Sequence, residues 1–235
     1  MIRRILKKLA LKYVPEFKNI SELLQSQSTN VLTTLNKHYG YDLSVKKGRP
    51  IDIDGNPIPW FTYSAIEYLS QLNLSEKTVL EWGSGNSSLF FAKRVKSIVS
   101  IESDNEWYKE ISDRKLQNQE VLFSKIENYE KIPSLIGKKF DIVIVDGKKR
   151  YECSKEVSKF LNDGGIVILD NSDWYKNSAK EIRNIGLIQV DFSGIGPINS
   201  YIWTTSIFFT RDCKFITDNN VQPHSPKGGI NNICD

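Results

Sequence analysis

The sequence predicts an α/β protein built on a doubly wound sheet. Three observations lead there. From residue 57 onward, short apolar runs alternate with helix-compatible segments, the element order of a mostly parallel sheet covered by helices. One of those runs, Thr78-Val79-Leu80, passes through an acid into two glycines spaced by one and then into a helix start. The chain closes on two strands, at about 187 to 194 and 201 to 211, whose short connection Gly196-Pro197-Ile198-Asn199-Ser200 makes them an antiparallel pair. A length of 235 residues suffices for one such domain with a sizeable core.

The first residues predict a basic amphipathic helix. Ile2, Ile5, Leu6, Leu9 and Tyr13 share one helical face, Arg3, Arg4, Lys7, Lys8 and Lys12 fill the rest, and no acid appears before Glu16. Such a segment, residues 1–14, either docks on the domain or on a second copy of the chain, or touches an anionic membrane surface. It lacks the serines of a transit peptide, and no apolar h-region follows it. A second helix is expected over 19 to 38, with Ser21 as its N-cap. Residues 40 to 59 read as a turn-rich connection centred on Asp54-Gly55-Asn56-Pro57. Ala65 to Leu69 begin a helix ahead of the first strand.

The segment Val79-Leu80-Glu81-Trp82-Gly83-Ser84-Gly85-Asn86-Ser87-Ser88 carries the chemistry. Gly83 and Gly85 let the chain bend and let a ligand lie against bare backbone, and the helix start beyond offers free N–H groups. The next apolar run, Ser97 to Ile101, ends in Glu102, about 20 residues after the turn, where a carboxylate accepts both hydroxyls of a ribose. Two departures separate this from a dinucleotide fingerprint. A serine stands where a third glycine would be, and Glu81 precedes the first. An acid there repels a pyrophosphate and suits a ligand with a cationic amino-acid end. Helices follow over 105 to 116, 151 to 161 and 179 to 185, and a third strand over 120 to 126.

Glu81-Trp82-Gly83-Ser84-Gly85-Asn86-Ser87 resembles motif I of the class I S-adenosylmethionine-dependent methyltransferases. Glu102 matches the ribose-binding acid of that family. Phe140 to Gly147 and Asn162 to Asn171 resemble its fourth and fifth strands, so the resemblance covers roughly 57 to 211. It implies a seven-stranded Rossmann-like sheet of order 3-2-1-4-5-7-6 with strand 7 antiparallel. It further implies S-adenosyl-L-methionine as cofactor, held by Glu81, Gly83, Ser84, Gly85, Asn86, Ser87, Glu102 and Asp146. In this reading Glu81 takes the amino group of the methionine part, and Lys125, Ile126 and Glu127 border the adenine. The domain boundaries become 1–56 for an N-terminal helical extension and connection, 57–215 for the methyltransferase domain and 216–235 for a polar tail, expected to be loose from Asp218.

Asp146 ends the fourth strand, and Asp170 and Asn171 end the fifth. Two carboxylates and an amide oxygen at one point suit Mg2+ or Ca2+, and the trio resembles the metal site of the catechol O-methyltransferase branch. Lys149 matches that branch's catalytic lysine, which with Asp146 and Asp170 gives the expected catalytic set. The same acids also occur without metal, as contacts to the cofactor or to loops, and both readings stand at this point. Trp60 and Tyr63 either roof the pocket or pack the helices on the sheet. Segments 40 to 63 and Ser172-Asp173-Trp174-Tyr175 are placed to close the acceptor side.

Other functions find less support. There is no GxSxG elbow, no P-loop and no Cys/His zinc cluster, and His38 and His224 lie outside the motifs. Asp146-Gly147-Lys148-Lys149 stands where a DNA amino-methyltransferase carries an Asn/Asp-Pro-Pro-aromatic motif, and a net charge of +4 is too mild to announce nucleic acid. A small hydroxylated metabolite or glycan precursor is the acceptor left by elimination. An aminopropyl transferase on the same fold would need an acidic polyamine pocket, against which Lys148-Lys149-Arg150 argues. A catalytically silent scaffold at a membrane surface would not need the intact set of Glu81, the glycines and Glu102. Cys153, Cys213 and Cys234 are odd in number and scattered, which reads as reduced thiols in a cytoplasmic protein, at most peripheral at the inner membrane surface.

Overall fold

The computed structural model describes residues 27–218 and 221–229. The basic segment 1–14 and Cys234 lie outside the described residues, as does the start of the helix expected from residue 19. That helix enters as α1, Gln27–Thr34, and continues into a wider turn of helix over Leu35–Tyr39. The connection after it is more ordered than its turn residues suggest. Tyr41–Lys47 form α2, closed by Gly48 in the left-handed conformation at φ 61°. The other helices are α3 (Tyr63–Ser70), α4 (Asn86–Ala92), α5 (Asn105–Arg114), α6 (Arg150–Phe160) and α7 (Lys176–Asn184).

Seven strands form one sheet: β1 (Thr78–Trp82), β2 (Ser97–Glu102), β3 (Gln119–Phe123), β4 (Phe140–Val145), β5 (Leu161–Leu169), β6 (Ile188–Gly194) and β7 (Trp203–Phe209). Their order is β3-β2-β1-β4-β5-β7-β6, and only β7 runs antiparallel to its neighbours β5 and β6. This is the expected Rossmann-like order. It reverses between β1 and β4, so the crevice at the C-terminal ends of those strands is where a ligand would bind.

Strand alternation sorts the core into two layers. Val79, Ile98, Ile144 and Ile168 pack one face under α3 and α4. Leu80, Val99, Val143 and Val167 pack the other under α6 and α7. Burial of both faces explains why the central strands are apolar throughout. A 3-10 segment, Ile126–Leu135, covers the second face as well, and the apolar pattern alone does not reveal it. Its Tyr129 is fully buried, donating its hydroxyl to the Ile101 carbonyl (3.1 Å) while its own carbonyl accepts the Trp82 indole N–H (3.2 Å).

Of the tail expected to be loose from Asp218, residues 219–220 and 230–235 lie outside the described residues. Residues 221–229 return along α3, with the His224 amide donating to Gln71 Oε1 (3.3 Å) and the Lys227 amide to Glu67 Oε1 (3.0 Å). No helix among the described residues is long and apolar enough to cross a membrane.

Candidate active site

The glycine turn is built by local necessity. Gly83 sits at φ +113°, and a Cβ there would lie 3.1 Å from the Gly147 nitrogen. A Cβ on Gly147 would in turn lie 2.1 Å from the Tyr129 hydroxyl oxygen. The ends of β1 and β4 therefore meet backbone to backbone, with the Asp146 amide donating to the Trp82 carbonyl (3.0 Å). Beside this seam opens a cavity of about 370 Å³. Ser84, Gly85, Asn86 and Ser87 line one end of it. At Gly85 a Cβ would meet nothing closer than the Trp107 ring, at 3.6 Å, so the cavity reaches bare backbone there.

Glu81 and Glu102 do not line this cavity. Alternation along β1 turns Glu81 toward α4, opposite Ser100 of β2. It is 1% exposed, and three hydroxyls satisfy it: Ser87 on Oε1 (2.5 Å), and Ser88 (2.5 Å) and Ser100 (2.9 Å) on Oε2. Ser88 Oγ also accepts the Gly85 amide (3.0 Å), which ties the glycine turn to the acid. Burial raises the Glu81 pKa to about 7, against the pull of those hydroxyls. Glu81, expected to take the cofactor amine, thus braces the turn from below in this structure. Glu102 does stand at the end of β2, but its Oε2 accepts Ser84 Oγ (2.9 Å) and its Oε1 the amides of Ser103 and Asp104. Trp107 covers that approach, its indole N–H on the Ser84 carbonyl (2.5 Å).

The other end of the cavity is organised by Arg150, the first residue of α6. All five N–H donors of its guanidinium are taken. Nε donates to the Gly147 carbonyl (3.1 Å). Nη1 donates to the Asp170 carbonyl (2.5 Å) and Asn171 Oδ1 (2.9 Å), and Nη2 to the Asp146 carbonyl (3.2 Å) and Asp146 Oδ1 (2.8 Å). Its face lies 4.6 Å from the centre of the Tyr175 ring. The sequence does bring Asp146, Asp170 and Asn171 together, as expected. Arg150 occupies Asp146 Oδ1 and Asn171 Oδ1, and Thr205 and Trp203 occupy Asp170 Oδ1, so the donor set does not fit Mg2+ and the metal reading is corrected.

Lys149, expected in the catalytic set, points elsewhere. It precedes α6 at φ 51°, its Nζ pairs with Glu130 Oε2 on the 3-10 segment (2.5 Å), and it does not line the cavity. The hydrogen bond to Glu130 raises its pKa, the wrong direction for a base. Of the likeness to the catechol O-methyltransferase branch, the geometry keeps the meeting of the trio but not a lysine beside it.

The two carboxyls remain. Asp170 is 3% exposed, and its Oδ1 accepts Thr205 Oγ1 (2.5 Å) and the Trp203 indole N–H (3.0 Å). Burial, and then the neighbouring Asp146, raise its pKa to about 8. Burial also raises Asp146, opposed by Arg150. Oδ2 of each acid has no hydrogen-bond partner among the described residues. At the margin near the glycine turn, Arg49 Nη2 (3.4 Å) and Arg114 Nη1 (3.1 Å) share the single Glu110 Oε1, leaving an excess of positive charge. Trp60, Trp174, Tyr201 and Trp203 line the remaining wall, whereas Tyr63 is buried against the sheet. The sequence reading missed Arg150, Asn199 and the aromatics of β7. The three described non-glycine residues with positive φ are Lys149 (51°), Asn171 (52°) and Ile198 (70°), and each is in this rim or next to it.

No protein-family model matches the chain, and no curated protein matches it in sequence. Among solved structures it is similar to fibrillarin, a pre-rRNA processing protein of Methanococcus jannaschii, at 16% identity and a TM-score of 0.50, over 66% of this chain and 78% of that one. It is also similar to precorrin-6y C5,15-methyltransferase of Geobacter metallireducens GS-15 (12%, TM-score 0.49, 63% and 87%). A third is the N-methyltransferase NodS of Bradyrhizobium japonicum WM9 (13%, TM-score 0.48, 63% and 93%). At these identities the likeness is one of fold.

Proposed function

We propose that the protein is an S-adenosylmethionine-dependent methyltransferase acting on an oxygen of a small hydroxylated metabolite or glycan precursor. The observation that carries this reading is one cavity joining the bare backbone of Ser84–Ser87 to two carboxyls of raised pKa, Asp146 and Asp170. When bound, S-adenosylmethionine supplies an electrophilic methyl group on a sulfonium. The free Oδ2 of Asp146 suits its ammonium, and Arg49 and Arg114, beside Asn86, suit its carboxylate. Glu102 suits the ribose once Ser84 Oγ and Trp107 give way.

Asp170 is the base of this proposal. Its carboxyl holds a proton below a pH of about 8 and, once ionised, is a stronger base than an exposed aspartate. Its free Oδ2 takes the proton of the acceptor hydroxyl. Arg150 fixes the Asp146 carboxylate and the Asp170 backbone, and its charge opposes the upward pull of burial on both acids. The three arginines around the cavity outnumber its two acids, which weighs against a polyamine substrate and an aminopropyl transferase.

The test is transfer of a labelled methyl group to a panel of hydroxylated acceptors. Turnover should rise as the pH passes through about 8, because the ionised Asp170 accumulates there, and should be indifferent to chelator. Asp170→Asn should cost about 100-fold or more. Loss of turnover with chelator, or full activity in the variant, contradicts the mechanism.

A further inference from the structure

The wall of the cavity beyond the glycine turn is an open aromatic shelf. Trp60, Trp174 and Tyr201 are exposed to 42%, 57% and 48%, far more than rings that serve a core. Trp174 and Tyr201 have centroids 5.9 Å apart, and Tyr201 continues to the buried Trp203 at 5.8 Å. Among the described residues, the Tyr201 hydroxyl, the Asn171 Nδ2 and both side-chain atoms of Asn199 have no hydrogen-bond partner. Asn199 follows Ile198, a β-branched residue held at φ 70°, so the loop accepts strain while bringing this amide to the cavity.

The unpaired groups define what the shelf can bind. Ring faces are electron-rich and attract polarised C–H groups. Amides and a phenol both donate and accept, which matches hydroxyls, since these also do both. Arg150 is saturated by its own contacts, so no free charge at the shelf asks for an anion. A phenolic substrate would call for apolar walls on both faces. A nucleic acid would call for free cations along its backbone.

We infer that the acceptor is a neutral saccharide, with one pyranose face on Trp174 and Tyr201 and its hydroxyls on Asn171 and Asn199. What is done to the sugar rests on the methyl-transfer reading, whereas its binding can be measured without cofactor. Tryptophan fluorescence and saturation-transfer NMR on the full chain test it, using methyl pyranosides and β-1,4-linked tetrasaccharides of glucose, mannose and N-acetylglucosamine. At least one should bind saturably, with the strongest transfer to the C–H protons of one ring face. Trp174→Ala and Asn199→Ala should each weaken that binding at least about tenfold, in proteins whose melting shows them folded. No binding at tens of millimolar sugar, or binding that both variants leave intact, overturns the inference. A parallel titration with S-adenosylmethionine separates the two readings. Cofactor binding without sugar binding overturns the saccharide site alone, and sugar binding without cofactor binding upholds it while sinking methyl transfer.

Discussion

The two ends of the cavity are built on opposite principles. At the β1–β2 end the two acids are satisfied from within. Glu81 is closed by three serine hydroxyls, Glu102 by Ser84 and two amides, and the backbone is eased by glycine. At the β4–β5 end a single arginine holds three strand-end residues, left-handed backbone falls on residues other than glycine, and amides and carboxyl oxygens remain unpaired. The first end is a finished scaffold against which a constant ligand can lie. The second stores its unmet hydrogen bonds and strain where a variable ligand must be gripped.

The sharpest way to break the second end is Arg150→Ala. It breaks the ion pair with the part-buried Asp146 and takes away the charge that lowers both Asp146 and the buried Asp170. Urea unfolding should show a loss of about 3–5 kcal/mol, against a small loss if the arginine merely decorates the surface.

The first end is probed by pH. Glu81 is raised in the folded chain from 4.5 to about 7, so the folded state binds its proton more tightly than the unfolded state does. That contribution is fully present below about 4.5, is lost as the pH rises to about 7, and amounts to about 3 kcal/mol at most. Asp170 acts in the same direction, up to about 8. Melting temperatures of the wild type should therefore fall between pH 5 and pH 8 more than those of Glu81→Gln. Equal slopes would mean that Glu81 is not buried in this way.

The smallest effect is expected at Lys149. Lys149→Met removes a half-buried ion pair with Glu130, worth about 1 kcal/mol or less, and should leave turnover near that of the wild type. A large loss of turnover would return Lys149 to the chemistry.

The same contrast explains what the sequence revealed. The glycine turn and the Glu102 position are encoded within short windows, where Glu81, Gly83, Gly85 and Ser88 follow one another along a strand, turn and helix, whereas the strand order came with the family resemblance. The meeting of Asp146, Asp170 and Asn171 was legible because strand ends of a parallel sheet share one edge. What those residues do there was not. The motif put Lys149 in the site, but the left-handed backbone at that residue turns it to Glu130 and lets its neighbour Arg150 reach the acids. Thr205 and Trp203, which hold Asp170, come from a strand more than thirty residues away, and no local spacing announces them. Glu81 was read as a ligand contact because its place in the motif is right, while strand alternation turns it into the α4 face.

The central claim is that the Ser84–Ser87 backbone receives S-adenosylmethionine. Calorimetric titration of the full chain with that compound tests it most directly, with Gly85→Val as the control, since a side chain there fills the only bare backbone the cavity reaches at this turn. One site per chain, lost in Gly85→Val while the variant melts as a folded protein, is the predicted result. No heat of binding in the wild type, or equal binding in the variant, would contradict it.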